Sequence, residues 1–436
     1  MQKTTADNPA IAAPKKTFFN LGLFQFLSFV RRGIFYTFMI NYLFDLMQTV
    51  TYTALLGSLN MLGSALGQNL LWGRIADRYK LRAKLVIAGE SIAAMAYFIV
   101  FQVHKSLVDS QANFVAGLSL IVGLSCLEFF WSMSDVGWAA LLTDVTTNKT
   151  RGGIVGTLNF IASLGRMIGI LFSGLLYDNG GGFRHGTIFY IVITMLCVSA
   201  ALMWVTSRTV KAPNRKTEAE KKETVTAKAS RSQNERVYKW FLISLVLIVV
   251  GATCTSQVFL LFPRLSQGLN ASDSEMSLIL TAWTLGGMLT SLTCGWLADR
   301  IGRVNVLFIG LIIAIVTPFL YSLAPTVLSL AVVYGLNGVS FWTLQTVGFA
   351  FAGELIPEDK RGRLFSRYNT VMALSWGPAG LFVGAPLADF QTQRLGWSAY
   401  SAYVNTFYVS SGIVIAGTLL FIAKVARAEG KKESNP

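Results

Sequence analysis

Gly73-Arg74-Ile75-Ala76-Asp77-Arg78 and Gly295-Trp296-Leu297-Ala298-Asp299-Arg300 are two versions of one hexapeptide, set near the middle of the two halves of a 436-residue chain. Each closes a long apolar segment. A motif repeated at the end of comparable segments says that one helical unit has been used twice, and its surroundings show what kind. Hydrophobic residues make up 53% of the chain and charged residues 14%, against roughly 25% charged in an ordinary soluble domain. Apolar runs near or above the roughly 20 residues that carry a helix across a bilayer recur throughout. About twelve are readable, near 18–44, 51–72, 85–102, 114–141, 153–177, 187–206, 239–262, 275–297, 305–323, 327–351, 364–387 and 400–424. The fold class expected is all-α: a polytopic membrane protein with twelve transmembrane helices in two pseudo-symmetric six-helix bundles.

The loops carry an orientation signal, because cytoplasmic loops hold Lys and Arg. Lys15 and Lys16 precede the first span; Arg74, Arg78, Lys80, Arg82 and Lys84 follow the second; Lys149 and Arg151 follow the fourth. Arg300 and Arg303 follow the eighth, Lys360, Arg361 and Arg363 the tenth, and Lys424 and Arg427 the last. The odd-numbered junctions instead hold Asp45, His104 with Lys105 and Asp109, Asp178 with Arg184, Arg264 with Asp273 and Glu275, and Asp389 with Arg394. Both termini are therefore expected in the cytoplasm, with the chain in a cell (inner or plasma) membrane. The net charge of +15 is accounted for by this topology, so nucleic acid is not an expected partner.

Between Arg208 and Lys239 the composition turns to Lys, Arg, Glu, Thr, Ser and Ala, as in a solvated linker. The organisation expected is a tail over 1–17, a bundle over 18–207, a linker over 208–238, a second bundle over 239–424 and a tail over 425–436. Met1 to Lys16 lacks the apolar core of a signal peptide and is expected to stay on the protein. Cys126, Cys197, Cys254 and Cys294 lie far apart inside spans, without metal-type spacing, so no metal site and no cofactor are expected.

Sliding one half over the other extends the repeat. With a shift of 222 residues Asp77-Arg78 falls on Asp299-Arg300; with a shift of 210 Asp144 falls on Glu354, Arg151-Gly152 on Arg361-Gly362, Asn159 on Asn369 and Gly174 on Gly384. Two such bundles can rock about a central site, which is how alternating access works. In these features the chain resembles the major facilitator superfamily, whose loop between spans two and three reads roughly Gly-x-Leu-Ala-Asp-Arg-x-Gly-Arg. Gly295 to Arg303 reproduces it, while the first copy departs at Ile75, Lys80 and Leu81. The acidic residue followed by Arg-Gly after spans four and ten also looks like the family, and the likeness runs from about Phe18 to Lys424.

The resemblance implies secondary transport and a cytoplasmic latch made by Gly73, Asp77, Arg78, Gly295, Asp299, Arg300 and Arg303. The chemistry fits: glycine lets helices approach, a carboxylate accepts hydrogen bonds at a helix N-terminus, and arginine pairs with a carboxylate or lipid phosphate. Gly156, Gly165, Gly169 and Gly174 in the fifth span are similar to the pattern of the superfamily's drug:proton antiporters. Ile170 and Ser173 stand where that pattern has Pro and Gly.

Ionisable groups inside spans cost several kcal/mol and are functional candidates by default. Gln25, Ser28, Arg32 and Tyr36 recur at i, i+3, i+7 and i+11, one stripe of the first helix, with Arg31 turned away by about 100°. Glu128 and Asp135 in the fourth span share a face roughly 10 Å apart along the axis. Asn159, Arg166, Ser173 and Tyr177 form a third stripe. Together these stripes can enclose one charged cavity, with Arg32 and Arg166 as anion-binding or pairing groups and Glu128 and Asp135 as counter-charges and proton carriers. A carboxylate suits that task because desolvation disfavours its charge while a nearby Arg favours it. Glu90 is expected to partner the basic loop.

In the second half neutral groups replace these charges: Gln345 stands for Asp135, Gly338 for Glu128 and Trp376 for Arg166. The expected solute-binding residues are Gln25, Arg32, Tyr36, Asn159, Arg166, Asn337, Trp342, Gln345 and Trp376. Phe341, Thr281, Trp283 and Thr284 complete an aromatic and amide wall suited to a solute with an apolar body.

The chain has no Gly-x4-Gly-Lys-Ser/Thr loop, no His-Glu-x-x-His element and no extramembrane stretch long enough for an ATPase, and His104 and His185 fall on outer loops. An enzyme is not expected, and energy has to come from a gradient. The function expected is proton-coupled secondary transport of a small organic solute by alternating access, with export ahead of symport and the chain acting as a monomer in the lipid bilayer. The competing expectations are a lipid or lipid-linked sugar flippase of the same fold, a proton symporter importing an organic anion, and a transport-dead sensor.

Overall fold

The computed structural model describes residues 15–79, 81–146, 151–209, 228–356 and 361–428. Every regular element among them is helical, and they assemble into twelve rods. The first six are α1 (Lys15–Tyr36, continued by Met39–Met47), α2 (Val50–Leu66, then Gly67–Trp72 and Gly73–Tyr79), α3 (Arg82–Asp109), α4 (Asn113–Val145), α5 (Arg151–Tyr177) and α6 (Thr187–Thr209). The second six are α7 (Lys228–Thr253, continued by Ser256–Leu261), α8 (Asp273–Ile301), α9 (Arg303–Tyr321), α10 (Val327–Leu355), α11 (Arg361–Ala373, resuming at Gly380–Gly384, Ala385–Asp389 and Phe390–Arg394) and α12 (Ala399–Phe421 with Ile422–Ala426).

Among the described residues, eight rods are long and apolar enough on their own to cross a bilayer, and α8 joins them when its bend after Ser291 is bridged. The three that remain, α1, α2 and α11, are each built from more than one helical piece. α7 is interrupted as well, and there local chemistry explains the break. In α7 the polar run Thr253-Cys254-Thr255-Ser256-Gln257 turns hydroxyls back on the backbone, Thr253 Oγ1 donating to Val249 O at 2.7 Å and Ser256 Oγ to Thr253 O at 2.6 Å, which loosens the helical ladder there. α7 begins at Lys228, inside the stretch read above as linker, and α6 runs on to Thr209.

The same pairs pack in both halves. α2 lies on α4, α3 on α4 and α6, and α1 on α6; correspondingly α8 lies on α10, α9 on α10 and α12, and α7 on α12. Between the halves α5 meets α8, α2 meets α11, and the last turns of α1 meet those of α7. These crossings lie toward one end, called here the far end; the basic end carries the two Asp-Arg motifs. A Cβ on Gly377 would stand 2.5 Å from the Gly57 carbonyl carbon, and one on Gly174 would collide with Ser277 Oγ, so glycine is what permits these approaches. At the basic end a Cβ on Gly153, Gly156 or Gly295 would meet nothing within 4 Å.

The buried apolar side chains follow this division. One cluster runs through both halves at the far end, from Phe35, Tyr42 and Phe183 to Phe259, Phe262 and Phe407. Toward the basic end each half keeps its own, around Phe241, Phe351 and Phe421 in the second and around Phe24, Val86 and Leu141 in the first. His104, placed on a loop by its sequence position, is fully buried on α3, where Tyr42 Oη lies 2.7 Å from its Nε2.

Candidate solute site between the two halves

A cavity of about 270 Å³ lies between the bundles. α1 lines it with Arg32, Gly33, Tyr36 and Thr37, and α5 with Arg166 and Ile170. The opposite wall is the second half: Thr253, Thr255, Ser256, Gln257 and Phe259 of α7, Trp283 and Thr284 of α8, Tyr321 of α9, and Tyr334, Asn337 and Phe341 of α10. Charge therefore comes from one half and neutral aromatic and amide surface from the other. Trp283 is held by its indole N–H, which donates to Asn337 Oδ1 at 3.2 Å, and its ring centre lies 5.7 Å from the Arg166 guanidinium carbon. That cation–π contact crosses between the halves.

Arg32 has a second set of neighbours behind the wall. Its Nη2 stands 3.6 Å from Asp135 Oδ1, and its guanidinium carbon lies 4.2 Å from the centre of the Trp131 ring. Arg31 lies 4.7 Å from the centre of the same ring, is 2% exposed, and its Nε and Nη2 make no hydrogen bond. Trp131 Nε1 and Ser134 Oγ each donate to Glu90 Oε1 at 2.8 Å. Glu90 is thus fully buried among α3 and α4 rather than partnered with the basic loop. Glu90 lies two turns inside α3, where the fourth helix supplies donors before solvent can.

Of the residues expected to bind solute, Arg32, Tyr36, Arg166 and Asn337 line the cavity. Gln25 and Asn159 do not: Gln25 is buried where α1 and α5 press together through Gly165 on Phe26, and Asn159 is exposed nearer the basic end. A stripe fixes a face of a helix, not a depth along it. Trp342 sits behind Trp283, against Gly287, and Gln345 lies farther along α10, its carbonyl accepting from Tyr368 Oη at 3.5 Å. Trp376 is a side chain outside those described. Asp135 reaches the cavity only through Arg32, and Glu128, half-buried on α4, is off its wall. The α7 residues were missed by the sequence reading, although five consecutive small polar residues in an apolar span were a signal.

At the basic end Arg303 forms an ion pair with Glu354 and donates to Ala350 O at 3.1 Å, both on α10 of its own half. Arg78 lies over Tyr79 and Arg300 over Trp296, with guanidinium carbons 5.5 and 4.1 Å from the ring centres. Asp299 is exposed, and the Asp77 side chain is outside those described. Gly73 faces Gln68 O of its own rod and Gly295 faces open space, so neither glycine brings a neighbouring helix close here.

Polar groups join the halves at the far end. Arg264 Nη2 pairs with Asp273 Oδ1 at 3.1 Å and donates to Asn179 Oδ1 at 3.1 Å, while the Asn179 N–H donates to Asp273 Oδ2 at 3.0 Å. Within the first half Tyr177 Oη donates to Asp45 Oδ2 at 3.2 Å, and across the halves the Asn41 amide donates to Leu260 O at 2.9 Å. Asp389 accepts from the backbone N–H groups of Val50 and Thr51 at 3.0 and 2.7 Å, satisfying two donors at the start of α2.

Among curated proteins the chain is 22% identical over 201 residues to the multidrug resistance protein MdtL of Vibrio parahaemolyticus, covering 45% of this chain and 48% of that protein. It is 22% identical over 353 residues to a homologue of the multi-drug resistance efflux pump PmrA from Lactococcus lactis, covering 81% and 82%. The match thus spans about half the length of MdtL and most of the PmrA homologue. Among solved structures, the nucleoside transporter NupG shares the fold with a TM-score of 0.68 at 17% identity, over 93% of this chain and 99% of that one. A bacterial homologue of the human lysosomal transporter Spinster does so with a TM-score of 0.65 at 12% identity, over 95% of each. The Major Facilitator Superfamily model matches residues 21–268 and again 245–436. With two matches to one family covering nearly all of a twelve-rod helical chain, the protein belongs to the Major Facilitator Superfamily and is a multi-pass membrane transporter, not an enzyme.

Proposed function

We propose that this protein is a proton-coupled exporter of a small organic solute, acting as a monomer in a cell membrane with both termini and the basic end in the cytoplasm. The observation that carries the coupling is that Arg32 borders the cavity and stands 3.6 Å from Asp135. A solute group that engages this guanidinium changes how firmly Asp135 is held in its charged form, so solute and proton occupancy are linked. Glu128, on the same helix as Asp135, is the second carrier. Export is supported by the names of the multidrug resistance relatives, and by a basic end where Gly153, Gly156 and Gly295 face open space while the far end is joined, the state in which an exporter loads from inside the cell.

The same contact of Arg32 with Asp135 at 3.6 Å also favours a second reading, solute–proton symport. A solute group that displaces Asp135 from Arg32 leaves the carboxylate without its counter-charge, and so draws a proton onto it together with the solute. Both readings are tested by screening anionic, neutral and cationic solutes in weakly buffered proteoliposomes. Export by antiport predicts that solute entry moves protons the opposite way, and symport that they enter together. Solute movement that neither changes pH nor responds to an imposed pH gradient would overturn proton coupling altogether.

A further inference from the structure

The cavity wall holds two guanidiniums and no carboxylate. Arg32 has Asp135 behind it; Arg166, among the described residues, forms no ion pair and rests on the Trp283 ring. Two like charges facing one space inside a membrane protein repel, and that arrangement is costly unless something negative enters between them. The facing half offers ring faces from Trp283, Phe341 and Tyr334, with amides of Asn337 and Gln257 at their edges. At about 270 Å³ the space matches a compact solute, since pockets for drug-sized ligands start at roughly 300 Å³.

We propose that the solute is an amphiphilic organic anion, its negative group taken between Arg32 and Arg166 and its ring-bearing body laid against Trp283, Phe341 and Tyr334. The assignment rests on the cavity being the solute site and is independent of the direction of transport. It also gives each half a share of one molecule: charge from α1 and α5, stacking from α8 and α10. A solute held this way bridges the two bodies that must move relative to each other. A cation would meet repulsion from both arginines with no carboxylate on the wall to offset it, and a neutral isostere would forfeit the charge-assisted bonds.

The test is equilibrium binding to the full chain in nanodiscs of zwitterionic lipid, at fixed pH and without any gradient. Three radiolabelled probes of one shape are compared: 2-naphthoate, 2-naphthamide and 2-naphthylmethylammonium. The anion is expected to bind roughly tenfold or more tightly than the amide, and the cation more weakly than either. Arg166→Gln and Arg32→Gln are expected to bring naphthoate down to the affinity of the amide while amide binding persists, which also reports that the variants are folded. Trp283→Leu is expected to weaken anion and amide alike. Equal or tighter binding of the amide or cation by the wild-type chain, or no naphthoate binding, would overturn the assignment, and neither result depends on a variant folding. If pH-driven transport of a neutral or cationic solute survives such an outcome, proton coupling stands and only the solute class falls.

Discussion

Asp389, near the end of α11 in the second half, is the N-terminal cap of α2 in the first: its Oδ2 accepts from the Thr51 N–H at 2.7 Å while its Oδ1 takes the Val50 N–H at 3.0 Å. A carboxylate at a helix N-terminus is favoured both by the free N–H groups and by the helix dipole. Here the bond also holds two bodies together, since cap and helix belong to different halves. Asp389→Ala should free both amides. A lost cap costs about 0.5–2 kcal/mol, or roughly twofold to thirtyfold in an opening equilibrium. Hydrogen exchange at Val50 and Thr51 should accelerate by that order, and unchanged exchange would show that the cap does not hold the far end closed.

The Arg264 cluster is the second tie at that end. Arg264→Gln removes the partner of Asp273 and weakens the hold on Asn179, bonds to charged groups worth about 1.5–3 kcal/mol each. Spin labels at Gln111 and Asn270, exposed on far-end loops of opposite halves, should then show a smaller short-distance population. A distance distribution identical to that of the parent would remove Arg264 from far-end closure.

Arg31 and Arg32 are neighbours in sequence with different surroundings. Arg31 is 2% exposed against Trp131, whereas the Arg32 side chain is 32% exposed. Removing Arg31 empties a buried space beside the Trp131 ring, a loss on the order of 3 kcal/mol; removing Arg32, partly exposed beside Asp135, costs about 1 kcal/mol or less. Arg31→Ala should therefore lower the melting temperature in detergent clearly more than Arg32→Ala. Equal melting temperatures would contradict the assignment of Arg31 to structure and Arg32 to the cavity.

Much of the architecture was legible in the sequence because a bilayer enforces length and polarity on every helix, and because the hexapeptides at Gly73 and Gly295 announce the duplication. The faces of α1 and α5 were legible too: helical spacing put Arg32, Tyr36 and Arg166 on stripes, and those three line the cavity. Depth was not legible, which is why Gln25 and Asn159, on the same stripes, fall outside it. Nor was pairing between distant segments. Glu90 looked like a neighbour of the basic loop until Trp131 and Ser134 supplied its donors. The α7 contribution was obscured because Thr253 to Gln257 carry no charge, although their hydroxyls break the helix at the level where the solute space opens.

The coupling of solute to proton through Arg32 and Asp135 is tested most directly by proteoliposome uptake under an imposed pH gradient, using a solute found by the panel above, with the parent and Asp135→Asn compared side by side. The gradient should drive accumulation by the parent, whereas the variant should exchange solute at zero gradient but accumulate none. Gradient-driven accumulation by Asp135→Asn equal to that of the parent would contradict this coupling.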